Sequence, residues 1–181
     1  GFLNRVNGEL LAAWGNLANR MLTFSYKRFE GKVPSINLAD LTAEDNAIIE
    51  KSEAAFDSIG KLLEAVKLKE ALTQTMTLVR EGNAYLDRRA PWKSIKDDPA
   101  DTALAVYTIL RVIDNLKILL SPFLPFTSQK VHELLGYDGQ LFGEQNIVEY
   151  QEATRPHKAL VYDGSKAIGK WEKSDLKPGQ P

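Results

Sequence analysis

The 181-residue chain contains no cysteine and only two histidines, so much of the chemistry used at catalytic and metal sites is missing. Without cysteine there can be no disulfide and no thiolate metal site, and an intracellular protein is the default expectation. His132 and His157 stand far apart in the sequence, without the neighbouring ligands that a metal site needs. We interpret both as surface residues rather than catalytic ones.

Long apolar runs and a secretory signal are also missing. No stretch approaches the roughly 20 apolar residues of a membrane span, and the first residues lack a basic segment leading into an apolar one. We therefore expect a soluble, cytoplasmic protein without a membrane partner. The net charge of −1 argues against bulk nucleic-acid binding. Because residues 1–32 are basic and residues 39–57 are acidic, we expect only one side to face phosphate.

Apolar residues recur at the spacing of amphipathic helices along most of the chain. The pattern predicts helices over residues 2–29, 43 to about 60, 68–89, 100–120 and, after a proline-rich break, a short 127–135. The helix over 100–120 is apolar around much of its circumference, which is typical of a central helix. The predicted fold is all-α, an antiparallel helical bundle of about five helices.

The character of the sequence changes after Gly136, where glycine and proline become more frequent. We predict that residues 1–136 form the bundle and that residues 137–181 form an irregular, extended C-terminal segment that packs on the bundle or on another domain. Within this segment, residues 159–162 fit a short strand and Asp163-Gly164 fits a turn.

No group of residues in the chain predicts catalysis. Residues 164–170 copy the first part of a phosphate-binding loop, but Trp171 stands where a Ser or Thr should reach the metal. Asp97, Asp98 and Asp101 are explained by helix capping rather than by cation binding. We therefore expect no catalytic residue, no metal ligand and no cofactor in this chain.

Three residues fit recognition of an unpaired base. Asn16 and Arg20 lie four residues apart, on one face of the first predicted helix, and their amide and guanidinium groups suit the hydrogen-bonding edge of a base. Trp92 follows the helix-breaking Pro91, which places its ring at a bend. There the ring either covers an edge of the core or stacks on a ligand.

Cations that could bind phosphate surround these residues in the sequence. Arg88, Arg89 and Lys93 lie close to Trp92, and Lys27 follows on the first predicted helix. Since a stacking ring works best beside cations that hold the RNA backbone, we predict that these four side chains contact phosphate.

The order of these motifs resembles the anticodon-binding domain of methionyl-tRNA synthetases, a class I aminoacyl-tRNA synthetase family. The resemblance rests on the motifs at residues 16–20 (Asn-Leu-Ala-Asn-Arg), 27–29 (Lys-Arg-Phe), 83–87 (Asn-Ala-Tyr-Leu-Asp) and 90–92 (Ala-Pro-Trp). The proline-broken residues 120–128 and the final residues 171–179 also fit, so the resemblance covers nearly the whole chain.

The resemblance implies both a function and a division of labour. Asn16, Arg20 and Trp92 would recognise the CAU anticodon of methionine tRNA, with Pro91 setting the tryptophan. The HIGH-type and KMSKS-type signatures of the catalytic domain are absent from these residues. The parent enzyme would join methionine to its tRNA with ATP and magnesium, with zinc as a further candidate, in that other domain. This chain alone would select tRNA and be inactive.

Two alternatives remain open from the sequence. One is the related bundle of a class I synthetase for valine, leucine or isoleucine, which the joint Asn-x-x-x-Arg and Ala-Pro-Trp pattern argues against. The other is a helical protein-interaction module in which Trp92 packs inside. The exposure of Trp92, and its distance from Asn16 and Arg20, separate base recognition from this second alternative.

Overall fold

The computed structural model describes residues 1–124, 129, 132, 133, 135, 144–151, 156–163 and 171–179. For residues 2–4, 144–151 and 156–163 the description is of the backbone only. The helices are α1 Phe2–Phe29, α2 Ala43–Glu64, α3 Leu68–Arg89, α4 Pro91–Asp97 and α5 Pro99–Leu119, with a 3-10 turn at Leu38–Asp40. The strands are β1 Glu144–Gln151 and β2 Pro156–Asp163.

The predicted helical bundle is confirmed, with two corrections to its elements. The second helix does not end near Gly60 but continues to Glu64. Gly60 is needed for packing, since a Cβ there would lie 3.0 Å from the indole nitrogen of Trp171. The bend after Arg89 is a single residue, because Pro91 at the first helical position starts the unpredicted helix α4.

Several predictions for the C-terminal part lie wholly or partly outside the described residues. These are most of the helix over 127–135, Gly164 of the predicted turn and the phosphate-loop-like residues 164–170. The predicted strand over 159–162 lies inside β2, which pairs with β1 in antiparallel register, Ile147 opposite Leu160. The domain boundary at residue 136 stays a prediction.

The helices differ in direction, as their polar contacts show. Contacts between α1 and α3 advance along both helices in the same sense, pairing Glu9 with Arg80, Asn16 with Asn83 and Arg20 with Asp87. Contacts between α2 and α3 run in opposite senses, pairing Lys51 with Glu81 and Glu44 with Arg88. The crossover of residues 30–42 connects α1 to α2, and α1 lies parallel to α3, as alternate helices of an antiparallel bundle do. The C-terminal half of α1 lies beside the C-terminal end of α3.

Helix α5 is central, as its apolar composition indicates. It packs against α1, α2, α3 and α4 and contributes many of the residues in the core. The largest fully enclosed side chains include Trp14, Tyr85, Tyr107, Ile109 and Ile113. Among the described residues, no helix combines the length and the apolar character needed to cross a bilayer.

Histidine 132 is not a surface residue, which corrects the sequence interpretation. Its side chain is buried, and its Nδ1 lies 2.8 Å from the Nζ of Lys117, itself paired with Asp114 at 2.8 Å. Burying the Lys117 ammonium is costly unless polar groups surround it, and His132 is one of them. His157 lies on β2, where only the backbone is described.

Residues 171–179 form an extended strap across the bundle. Five hydrogen bonds among the described residues hold the strap. The Trp171 indole donates to the Phe56 carbonyl, the Ser174 amide to Asn115, the Ser174 hydroxyl to Asp114, the Tyr107 hydroxyl to the Leu176 carbonyl and the Gly179 amide to the Pro34 carbonyl. Leu176 is buried in the core. The strap thus joins α2 and α5 to the crossover that follows α1.

A buried ionic network joins three helix ends. The fully buried Asp45 accepts from the guanidinium of Arg89 at 2.7 Å, and Arg89 also donates to Asp101 at 2.8 Å. The other oxygen of Asp45 accepts from the Thr42 amide in the capping box of α2, while the Tyr85 hydroxyl donates to the first. Arg89 therefore ties the start of α2, the end of α3 and the start of α5 together.

Replacing Arg89 by Met is expected to destabilise the protein by about 3–5 kcal/mol, because the buried Asp45 carboxylate loses its cation. Urea unfolding followed by circular dichroism measures the change. Arg88→Met is the matched control, since Arg88 pairs with Glu44 at an exposed position. Arg88→Met should lower the free energy of unfolding by about 1 kcal/mol or less. Equal effects of the two substitutions would contradict the assigned role of Arg89.

Burial and the hydrogen bond to Asp45 raise the pKa of Tyr85 well above its ordinary value of about 10. Tyr85 in the unfolded chain therefore ionises first as the pH rises, and its stabilisation, complete below about pH 10, is lost above it. The difference in unfolding free energy between wild type and Tyr85→Phe should then shrink, by at most about 1.4 kcal/mol per pH unit. A constant difference between pH 9 and pH 11 would refute this assignment.

Candidate functional site

Three helices meet around the side chain of Arg20. Its guanidinium donates to Asp87 on α3 at 2.8 Å, and its Cζ lies 4.9 Å from the centroid of the Trp92 ring on α4. The arginine is thus held between a carboxylate and an aromatic face. Each contact is weak at the surface, about 0.5–1 kcal/mol for the cation–π contact, but together they fix the orientation of a planar cation.

The position of Trp92 follows from the backbone at Ala90. Ala90 is in the left-handed conformation, with φ 41° and ψ 64°, and is shared by the end of α3 and the start of α4. Its amide donates to the Leu86 carbonyl at 2.9 Å, and the buried Pro91 begins the new helix. The chain therefore turns within one residue. The Trp92 ring emerges beside α1 with 39% of its surface exposed.

Asn16 lies one helical turn before Arg20 and is held in a similar way. Its amide donates to Asn83 at 3.4 Å, and the Asn83 amide donates to the Ala13 carbonyl at 3.1 Å. Asn83 is thereby anchored to the backbone of α1 and orients Asn16, which stays exposed. The two predicted recognition residues of α1 therefore each have a polar partner on α3.

A groove of about 400 Å³ opens beside the tryptophan. Its lining residues are Asn19, Arg20, Thr23, Phe24, Lys27, Arg28 and Trp92. Three of these carry positive charge and none carries negative charge. A flat apolar surface beside several cations is the arrangement that binds single-stranded nucleic acid.

The predicted phosphate contacts fall into different environments. Lys27 lines the groove, and Lys93 is exposed next to Trp92. Arg88 is exposed but bonded to Glu44 at 2.6 Å, on the side of α3 that faces α2. The prediction that Arg89 contacts phosphate is wrong, because its side chain is only 10% exposed and is bound to Asp45 and Asp101. An arginine committed to two carboxylates inside the bundle is not available to phosphate.

Sequence reasoning missed the partners that orient the site. Asn83 and Asp87 belong to the motif at residues 83–87, and their type alone does not indicate that they orient Asn16 and Arg20. Their four-residue spacing on α3 repeats that of Asn16 and Arg20 on α1, which was the available signal. Arg28, a neighbour of Lys27, was also missed as a lining residue.

The site offers recognition chemistry. It presents a stacking surface, a guanidinium and an exposed amide, all able to bind a neutral planar group with polar edges. In the part of the chain that the structure describes, no three His, Asp or Glu side chains gather as a metal site.

Comparison with protein families identifies the class of this domain. The family model for the anticodon binding domain of methionyl tRNA ligase matches residues 33–161. The chain belongs to this family. Pro91 and Trp92 lie inside the matched range, whereas Asn16 and Arg20 precede it.

Relatives extend the match to α1. Methionine–tRNA ligase of Thermomicrobium roseum is 44% identical, over 100% of this chain and 31% of the relative. The ligase of Roseiflexus castenholzii is 41% identical, over 99% of this chain and 30% of the relative. The chain thus spans about a third of the length of these relatives. The apo crystal structure of Mycobacterium tuberculosis methionyl-tRNA synthetase shares the fold, with a TM-score of 0.68 and 24% identity over 75% of this chain and 28% of that chain.

Membership of this methionyl family answers the alternatives left by the sequence. The matching family model is that of the methionyl domain, and the relatives named above are methionine–tRNA ligases. The interaction-module alternative required a buried Trp92, yet the ring is partly exposed and lies against Arg20.

The turn that places Trp92 can be tested at Ala90. Ala90→Gly is expected to leave stability unchanged or raise it by up to about 1 kcal/mol, because glycine adopts positive φ without a Cβ penalty. Ala90→Val should instead destabilise the domain, since a β-branched residue is strained there. Thermal unfolding of the two variants measures both effects. An Ala90→Val protein with the unfolding midpoint of wild type would contradict the left-handed turn.

Proposed function

We propose that this domain reads the CAU anticodon of methionine tRNA with Asn16, Arg20 and Trp92, while Pro91 positions the ring. The observation that carries the proposal is the contact of Arg20 with both Asp87 and Trp92. It brings a residue of α1 together with a residue that lies 72 positions later in the chain. Family membership supports the same assignment.

Binding would use the site nearly as it stands in the free domain. An unstacked anticodon base stacks on the exposed part of the Trp92 ring, which gives affinity with little dependence on sequence. Arg20 has five N–H donors, so donors remain beyond the bond to Asp87, and Asn16 adds both a donor and an acceptor. These groups bond to the edges of the base and supply the discrimination.

Lys27, Arg28 and Lys93 are the proposed phosphate contacts. Lys27 and Arg28 line the groove, and Lys93 follows the stacking ring on α4. Arg88 is a weaker candidate for phosphate contact because its guanidinium is paired with Glu44. Arg89 is not a candidate because its guanidinium is bound to the buried Asp45. The net charge of −1 for the whole chain points to modest affinity for RNA.

The domain would act as the C-terminal, tRNA-selecting part of a cytoplasmic methionine–tRNA ligase. The relatives carry that name and are about three times longer than this chain. In the proposed parent, another domain binds ATP and magnesium, and zinc where it is used, and joins methionine to the tRNA. The chain studied alone would bind tRNA without catalysing the ligation.

Trp92→Ala is expected to weaken binding of a CAU anticodon stem-loop by about 1–3 kcal/mol, the value of stacking one base on an aromatic ring. This corresponds to a loss of roughly 5- to 150-fold. Fluorescence anisotropy with a labelled stem-loop, at one fixed salt concentration, measures the change. A stem-loop with an altered anticodon should bind wild type more weakly than the CAU loop does.

Two variants control this experiment. Trp92→Phe keeps an aromatic face and should retain most of the affinity. Val66→Ala removes an exposed apolar side chain in the turn between α2 and α3, away from the groove, and should bind like wild type. If wild type and Trp92→Ala bound the CAU and altered loops equally well, the proposed function would be abandoned.

A further inference from the structure

A second exposed aromatic residue lies on the opposite flank of α1. Tyr26 is 75% exposed, which is unusual for a large ring on a helix that packs in a bundle. It lines a groove of about 520 Å³, larger than the groove beside Trp92. The apolar floor of this groove includes Ala18, Leu22, Val33, Leu110 and Leu135.

The backbone that ends α1 supports the Tyr26 ring. Glu30 and Gly31 both have positive φ, 56° and 73°, so the chain reverses immediately after the helix. A Cβ at Gly31 would lie 3.3 Å from Cδ2 of Tyr26. The absence of that atom lets the ring edge lie close to the turn while most of its surface stays open to solvent.

The Tyr26 groove and the Trp92 groove share a wall. Asn19, Thr23 and Lys27 line both, and their four-residue spacing makes them one ridge along α1. Lys32 adds a second cation to the Tyr26 groove, and none of the described residues that line this groove carries a carboxylate. The shortest path between the two grooves therefore crosses a polar ridge that ends in a lysine.

We propose that Tyr26, Lys27 and Lys32 form a second nucleotide subsite, which takes an unpaired base adjacent to the anticodon triplet in the RNA loop. This inference rests on the proposed function, because it assigns the next nucleotide of the same bound loop. The base stacks on Tyr26, and the two lysines hold the phosphates on either side of it. Stacking on one exposed ring tolerates any base, so this subsite adds affinity and leaves discrimination to the Trp92 groove.

The experiment measures stem-loop binding by wild type, Tyr26→Ala, Tyr26→Phe, Trp92→Ala and Val66→Ala. Val66 is the matched control, since it is an apolar residue with the same 75% exposure. Tyr26→Ala should weaken binding about five-fold or more, by a similar factor for CAU and altered loops. Tyr26→Phe should stay within about two-fold of wild type, and Val66→Ala should match it.

A second probe locates the base. Stem-loops with an abasic nucleotide on the 5′ or the 3′ side of the triplet remove one candidate base at a time. One of these two loops should bind wild type as weakly as the intact loop binds Tyr26→Ala. For that abasic loop, Tyr26→Ala should lower the affinity no further. If Tyr26→Ala weakened both abasic loops as much as the intact one, the adjacent-base assignment would be wrong.

The outcomes separate this inference from the proposed function. If Trp92→Ala weakened binding and Tyr26→Ala did not, the second subsite would be overturned and triplet reading would stand. Tyr26 would then only cover the end of α1. If Tyr26→Ala weakened binding and Trp92→Ala did not, the Trp92 site would be overturned, and with it the placement of the Tyr26 base beside a triplet read there. Because Tyr26 is exposed, its variants should keep the wild-type circular dichroism spectrum and unfolding midpoint.

Discussion

The ion pair between Arg89 and Asp45 is the constraint on which the geometry of the site depends. Asp45 is fully buried, so its charge must be compensated, and Arg89 does this while also bonding Asp101. Three helix ends are thereby held together at the residue before Ala90. The left-handed turn at Ala90 and the start of α4 come immediately after this fixed point in the chain. The buried ion pair thus fixes the end of α3 three residues before the exposed ring of Trp92.

Arg20 and Arg89 have the same guanidinium group but different roles, because one lies at the surface and the other inside the bundle. Arg89 is enclosed and bonded to two carboxylates, and it stabilises the fold. Arg20 has one carboxylate and one aromatic face at the surface, and it keeps donors for a ligand. The local sequence around Arg89 is rich in basic residues next to an aromatic one, which suggested RNA contact. However, Asp45 of α2 and Asp101 of α5 bind the Arg89 side chain inside the bundle, so it is not available to RNA.

Much of the bundle could be predicted because helical periodicity and capping are local properties. The acidic cap predicted before α5 is present, since the Asp98 side chain accepts from the Asp101 amide. The predictions were wrong at residues whose type is compatible with two different structural roles. Gly60 looked like a helix stop, but it makes room for Trp171 from the distant strap. Pro91 looked only like a break, but it also begins α4, and His132 looked exposed because its partner Lys117 lies on another segment.

The sequence by itself determined the helical class, the bounds of α1, α3 and α5 to within one residue, the candidate recognition residues and the family resemblance, because each depends on residue types at short spacing. The tertiary structure alone decided which residues of α1 and α3 face each other. It also decided that Arg20 meets Trp92, and which cations remain at the surface. The physical reason is distance along the chain: Asn16 and Arg20 find their partners Asn83 and Asp87 67 residues later. No local pattern encodes such a pairing, since it exists only after the core has brought the helices together.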